Sequence, residues 1–386
     1  MRNVFVVTVG RSDFGLYRPI LDRMEREPGI SYGLVVSGAH LAKGAGATVS
    51  EIRAENRPIV AEIPLPQTET GQAGMSHAMG AIIEGCASLF ERSRPDMLLV
   101  LGDRFEMFAA TSAAVPFNIP IAHIHGGELS FGAIDDVFRH AMTKMSHLHF
   151  AATREYADRI VRMGEEPWRV VVSGAPGLDS ALNAQLPDRA TLSSRFGIPL
   201  DEAPVLVTFH PVTRLAGEEE AQVAALLEAL GAIDRPIVFT APNADGGSGT
   251  IRAAIERFVD ARPNAYLVEN FGSLNYLAML REAAAVVGNS SSGLIETPAF
   301  HLPTVNIGER QDGRTRAANV IDVPTTSSAI AKGMEQALDP GFRAGLAGLI
   351  NPYGDGNAAE RIVDVLKTTP LDSRLIAKRF HDQPTK

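Results

Sequence analysis

Short apolar runs alternate with longer amphipathic ones through nearly the whole chain, and no other feature restricts its fold as much. "VFVVTVG", "YGLVVSG", "MLLVLGD", "PIAHIHGG" and "LHFAAT" have the length and β-branched content of buried strands. Between them, "LYRPILDRMERE", "SHAMGAIIEGCASLFERS", "RFEMFAATSAAV" and "DDVFRHAMTKMS" carry helical spacing. Such alternation builds a parallel sheet with helices on both faces. The pattern pauses over 173–203, a stretch rich in Gly, Pro and Ser, and then a second series begins with "VLVTFHP" and continues through "PIVFTAPN", "AYLVENFG", "AVVGNSSS" and "PTVNIG". The expected architecture is α/β: two Rossmann-like, doubly wound domains facing each other across a cleft. Their boundaries fall at 1–172 (first domain), 173–203 (linker) and 204–367 (second domain). Residues 368–386 read either as a C-terminal helix that packs back on the first domain or as a frayed end. Clefts of this kind are favoured small-molecule sites.

A length of 386 residues suits two domains, and 45% hydrophobic residues with 21% charged is a globular composition. The net charge of −9 argues against general binding to nucleic acid or a membrane surface, so an anionic ligand would need a local cluster of donors. Cys86 is the only cysteine, which rules out an intramolecular disulfide and a Cys-based zinc site and fits a reducing cytoplasm. The N-terminus "MRNVFVVTVG" reads as a first buried strand rather than a signal peptide.

"GNSSSGLIE" places three serines and two glycines between an apolar strand and a helical pattern. One serine there reads as an N-cap; three, with flanking glycines, favour a phosphate on exposed N–H groups. Glu296, about one and a half turns into the expected helix, suits a ribose acceptor. Arg310, Arg314 and Arg316 follow the next strand, and one of them could complete a diphosphate clamp. The first βα turn, "TVGRSDFGLY", has only Gly10 and Gly15, which supports an NAD fingerprint poorly; Arg11 there could reach a diphosphate across the cleft. Asp103 ends a strand beside Arg104, either as a helix N-cap or as chemical equipment. "AHIHGGELSFGAIDD" adds His123, His125, Glu128, Asp135 and Asp136. A metal pair at HxH is the weaker reading, because these sheets are open; acid–base work is the stronger. His210 ends the first strand of the second domain, facing the same cleft, as a structural or a catalytic histidine.

"GRSDFGLYRPIL", "LGDRFEM", "AHIHGGE", "IDDVFRHAMTKMSHLHF", "TFHPVT", "PNADGGS", "GNSSSGLIE", "NIGERQDGR" and "NPYGDGNAAERI" together resemble the hydrolysing UDP-N-acetylglucosamine 2-epimerase family, over about residues 8 to 362. "HIHGGE" and "GAIDDVFRHAMTKMSHLHF" look closer to the bacterial sialic-acid and legionaminic-acid branches than to the non-hydrolysing enzymes. The resemblance implies the GT-B architecture, no cofactor, no metal, a UDP-sugar substrate and a homo-oligomer, dimer or tetramer. It implies elimination of UDP from a 2-acetamido sugar to a 2-acetamidoglycal, then hydration with the C2 proton returned on the opposite face. Carried over position by position, Asp103, with Asp135 or Asp136, supplies catalytic carboxylates and His210 lies near the leaving diphosphate. Ser290, Ser291 and Glu296 form the uridine-diphosphate pocket, with Arg11, Asn243 and Arg310 as further contacts. Arg104 stands beside them in "GDR".

Several relatives carry glutamate where this chain has His125. Either Glu128 substitutes for it, or His125 moves the proton itself. A GT-B UDP-sugar glycosyltransferase and a non-catalytic UDP-sugar sensor are the rival readings; the first leaves the Asp103 and Asp135/Asp136 cluster unexplained, and the second would bind the ligand unchanged. The sequence leaves open whether the sugar is N-acetylglucosamine or a 2,4-diacetamido-trideoxy sugar, and whether the nucleotide is UDP or GDP. "LAKGAGATVSEI" and "PLPQTETGQAGMSH" are candidate loops for reading the sugar.

Overall fold

The computed structural model describes residues 1–42, 48–66, 71–131, 134–211, 217–242 and 248–382. The chain divides into two compact units. The first comprises Met1–Glu128, Ile134–Asp179 and Tyr353–Lys386; the second comprises Leu129–Ala133 and Ser180–Pro352. The sequence boundary at 367 had left 353–367 with the second domain, whereas the chain crosses back at Tyr353.

The first unit holds seven strands: β1 (Arg2–Thr8), β2 (Ile30–Val36), β3 (Ile59–Glu62), β4 (Met97–Leu101), β5 (Ile121–Ile124), β6 (Leu148–Ala151) and β7 (Val170–Val172). They pair in the order β3-β2-β1-β4-β5-β6-β7, all parallel. The central strands are buried on both faces, which is why "MLLVL" and "FVVT" read as unbroken apolar runs rather than alternating ones. The sheet winds outward both ways from the β1/β4 boundary, so the crevice beyond Thr8 and Leu101 is the place where such sheets hold ligands.

The second unit repeats the plan with β8 (Val205–Thr208), β9 (Ile237–Thr240), β10 (Ala265–Val268), β11 (Ala285–Gly288), β12 (Thr304–Ile307) and β13 (Val320–Val323). Their order is β10-β9-β8-β11-β12-β13, again parallel. Its switch point lies between β8 and β11. The expected pair of Rossmann-like domains is therefore present. The edge strands β3, β7 and β13 went unread in the sequence because they are three or four residues long and only partly buried.

The tail is not one long helix. Its helical part is the single turn Ser373–Ile376, fixed by hydrogen bonds rather than by a long apolar face. Arg169, fully buried, donates to the carbonyls of Leu375 at 2.8 Å and Arg374 at 2.7 Å. Lys378 and Lys144 both pair with the buried Glu165 carboxylate, at 2.8 and 2.6 Å, and His149 approaches it at 3.2 Å. These partners hold the Glu165 pKa down to about 2 against the cost of its burial. Glu165→Gln leaves two ammonium groups facing a neutral amide. It should lower stability by about 3 kcal/mol, read as a fall in the denaturant midpoint at pH 7. An unchanged midpoint would show that the latch contributes nothing. Among the described residues, no helix is long and apolar enough to cross a membrane.

Candidate functional site

At the first switch point the chain turns sharply after β4, with Gly102 at φ +76°. The next helix begins at Phe105 with Arg104 as its N-terminal flanking residue, so Asp103 is not that helix's cap. Its carboxylate instead accepts a hydrogen bond from the Arg139 guanidinium. Arg139 is 2% exposed and also donates to Asp136 at 3.1 Å. His140 stands 3.5 Å from the other Asp136 oxygen, and burial lowers its pKa against the pull of that carboxylate. Asp103 and Asp136 thus share one buried cation. Arg139 was not singled out from the sequence. Its signal was the i,i+3 spacing from Asp136 on a helix that begins with two acids.

Arg104 lies over the same strand end, gripped by both oxygens of the buried Glu106 at 3.1 and 2.8 Å. Asp13 and Asp135 add to the field that holds its charge. Arg11 is engaged with Glu51 at 3.5 Å, both side chains being two-fifths exposed.

At the adjacent strand end, His125 adopts a left-handed conformation, φ +64°, followed by Gly127 at φ +78°. That turn brings His125 Nδ1 within 2.6 Å of Glu128 Oε1. A carboxylate only accepts, so Nδ1 carries the proton, and in the neutral ring Nε2 is left as a base. Gly127 is required here, because a Cβ would come within 2.4 Å of the Tyr156 carbonyl oxygen. His123 has a different part. It is fully buried, bonds the Gly102 carbonyl at 2.7 Å, and burial drives its pKa down to about 3. A histidine that stays neutral and holds a backbone turn is structural. No group of three or more potential metal ligands gathers among the described residues.

In the second unit, β8 and β11 run so close that a Cβ on Gly288 (φ +143°) would stand 1.9 Å from the Thr208 carbonyl oxygen. Gly288→Ala should therefore cost about 3 kcal/mol or more, measured by thermal unfolding. A fully stable variant would show that the strands can part. Asn289 next to it ties the switch point together. Its side chain accepts from the His210 N–H at 2.8 Å and donates to the His210 carbonyl at 2.9 Å. Its own carbonyl receives Arg310 at 3.1 Å and Gln311 at 2.8 Å. His210, Asn289 and Arg310 are thereby brought together. Burial and the Arg310 charge push the His210 pKa down to about 4, so it is neutral at pH 7.

The serine run behaves differently from its sequence expectation. The helix after β11 is a single turn, Ser292–Ile295, followed by the 3-10 turn Thr297–Phe300. Glu296 sits at the junction as the C-terminal flanking residue, not one and a half turns into a helix. Pro298 explains the break, since it has no N–H for a continuing helix. Ser291 makes no side-chain cap, and Ser290 Oγ accepts a long 3.4 Å bond from the Ser292 N–H. Ser292 Oγ accepts from Tyr276 at 2.9 Å, and burial raises the Tyr276 pKa to about 12, with Glu296 adding to the rise. Arg316 pairs with Asp322 at 2.6 Å and Asp312 at 3.5 Å, whereas Arg310 is held at the switch point by the Asn289 carbonyl. Asn243 lies outside the described residues.

Comparison with known proteins shows the family and the fold. Residues 22–367 match the model of a family described as UDP-N-acetylglucosamine 2-epimerase. A Legionella pneumophila protein named UDP-N,N'-diacetylbacillosamine 2-epimerase (hydrolyzing) is 37% identical over 379 residues, covering 98% of this chain and 99% of the relative. The polysialic acid biosynthesis protein P7 of Escherichia coli is 34% identical over 386 residues, 100% of this chain and 98% of its own. Among solved structures, the UDP-GlcNAc 2-epimerase of Neisseria meningitidis bound to UDP-GlcNAc superposes with a TM-score of 0.81 at 18% identity, over 95% of this chain and 100% of that one.

Proposed function

The chain belongs to the UDP-N-acetylglucosamine 2-epimerase family, and from that premise we propose that it is a hydrolysing 2-epimerase of a UDP-linked 2-acetamido sugar. The reaction eliminates UDP to a 2-acetamidoglycal and then adds water, giving the free 2-epimer. The observation that carries this reading is the presence of two chemically separate acid–base groups at the neighbouring ends of β4 and β5. One is His125 oriented by Glu128; the other is Asp103 with Asp136 on the shared Arg139. Inversion at C2 needs one group to take a proton and a different one to return it. A transferase or a sensor needs neither.

The C2 proton is weakly acidic, so its removal has to be matched by departure of the nucleotide. His125 Nε2 takes that proton as the C1–O bond breaks and UDP leaves with the electron pair. Glu128 stabilises the imidazolium formed. In the second half, water adds at C1, gives its proton to the Asp103 carboxylate, and the same group protonates C2. His125 releases its proton to solvent. UDP is taken by Ser290, Ser291, Arg310 and the neutral His210, with Glu296 accepting from ribose hydroxyls. Asp135 and Arg104 complete the polar lining beyond β4.

The diacetamido-trideoxy sugar is the favoured substrate, since the Legionella relative, 37% identical across its length, is named for that chemistry. The product then feeds nonulosonic acid synthesis of the sialic or legionaminic type. The protein works in the cytoplasm, where nucleotide sugars are made, as a homo-oligomer. Proton NMR in D2O tests the reading, with UDP-N-acetylglucosamine and the UDP-2,4-diacetamido-trideoxy sugar in parallel. Free 2-epimer carrying deuterium at C2 is expected from the second sugar. If both sugars stay intact with their C2 protons, the proposal is wrong.

A further inference from the structure

A chain of four buried polar side chains crosses the carboxyl edge of the first sheet. Asp13, on the first turn of helix Arg11–Arg26, accepts at Oδ2 from Thr8 Oγ1 at 2.6 Å and from the Val9 N–H at 2.9 Å. Thr8 Oγ1 lies 2.9 Å from His40 Nε2, and His40 Nδ1 lies 2.7 Å from Thr48 Oγ1. Asp13, Thr8, His40 and Thr48 are each 5% exposed or less. Proton counting fixes the direction of the bonds. A threonine hydroxyl has one proton, so when Thr8 gives its proton to the carboxylate it must accept from His40 Nε2–H. His40 Nδ1 is then bare and accepts from Thr48. Every proton points toward Asp13.

The carboxylate is left half satisfied. Asp13 Oδ1 is buried with no hydrogen-bond partner, as is the nearby Tyr17 hydroxyl. The groups that act on Asp13 are Thr8 at the end of β1, the N–H groups of Val9 and of Asp13 itself, Tyr17 from its own helix and Arg104 from beyond β4. Glu106 and Asp135 compete for the same Arg104, and the Gly10 carbonyl and Arg11 act on His40. An ionised, half-satisfied carboxylate costs stability, which is a common mark of a functional position.

We propose that Asp13 is a positioning residue for the reaction: ionised by the Thr48–His40–Thr8 relay, it joins Glu106 in holding Arg104 over the end of β4, beside Asp103. The role rests on the epimerase reading for its catalytic consequence but not for its electrostatics. Burial raises the Asp13 pKa to about 6. A carboxyl raised in the folded state binds its proton more tightly there than in the unfolded chain. Stability is therefore lost as pH rises from about 4 to about 6, and the loss persists above that window.

Asp13→Asn keeps the acceptor for Thr8 and Val9 but cannot ionise. Its melting temperature, relative to the parent, is expected to climb as pH goes from 4 to 7. In UDP-release assays at pH 7.5 its kcat/KM should fall at least tenfold, with the gap narrowing below pH 6 as the parent also becomes protonated. Thr48→Val probes the far end without touching Asp13. Losing the donor to Nδ1 lets His40 turn round and accept the Thr8 proton, which strips Asp13 of a bond and should move the parent's acid limb up by about one pH unit. A pH-independent stability difference overturns the proposal, whatever the activity. So does parent-like turnover of Asp13→Asn at pH 7.5, or an acid limb unmoved in Thr48→Val. A parent protein that releases no UDP sinks the epimerase reading, while the melting curves still decide the ionisation of Asp13.

Discussion

Asp103→Asn is expected to bind UDP as tightly as the parent and to lose turnover by about three orders of magnitude, within the usual range for removing an acid–base group. Binding should survive because the groups proposed to take the nucleotide, around Asn289, His210 and Arg310, belong to the second unit. The fold should survive too. Asn has the shape of Asp, and Arg139 keeps its 3.1 Å bond to Asp136, so no buried cation is left alone. Only the proton-carrying carboxylate goes. Calorimetry with UDP and a coupled assay for UDP release separate the two effects. Turnover within a few fold of the parent would remove Asp103 from the chemistry and leave it as a partner for Arg139.

The alternation of apolar and amphipathic runs gave both sheets because buried parallel strands leave a strong local signature. Edge strands such as "IVAE" do not, since half their residues face solvent. The candidate site was legible where a polar side chain follows a strand end, as at Asp103, His125 and His210, because position along the pattern identifies the carboxyl edge. It was less legible where function depends on a partner far away in sequence. Arg139 pairs with Asp103, thirty-six positions earlier, and Asp13 is linked through Thr8 to His40, about twenty-seven positions later. Nothing local marks those pairings. Glu296 was misplaced for a local reason that could have been used: Pro298 forbids the longer helix that its assigned position required. His123 and His125 look alike in "HIH", yet one caps a backbone carbonyl and the other an acid.

The His125 substitution makes the sharpest test of how the two proton carriers divide the work. His125 occupies a left-handed backbone conformation, which most side chains resist and asparagine tolerates well. His125→Asn should therefore fold with a near-parental melting temperature while lacking the imidazole. The prediction is a fall in UDP release of about a thousandfold, together with loss of deuterium entry at C2. The glycal, supplied directly, bypasses the first step. If His125 takes the proton and Asp103 returns it, His125→Asn should hydrate the glycal at close to the parental rate, whereas Asp103→Asn should not. The reverse pattern would exchange the two assignments. Equal failure of both variants on the glycal would mean that the pairs act as one unit, joined through the neighbouring ends of β4 and β5. Glu128→Gln adds the remaining piece: it preserves a hydrogen-bonding partner at 2.6 Å but not the charge that stabilises an imidazolium. It should slow elimination about a hundredfold and leave glycal hydration alone, because in that second half His125 is not called on to gain a proton.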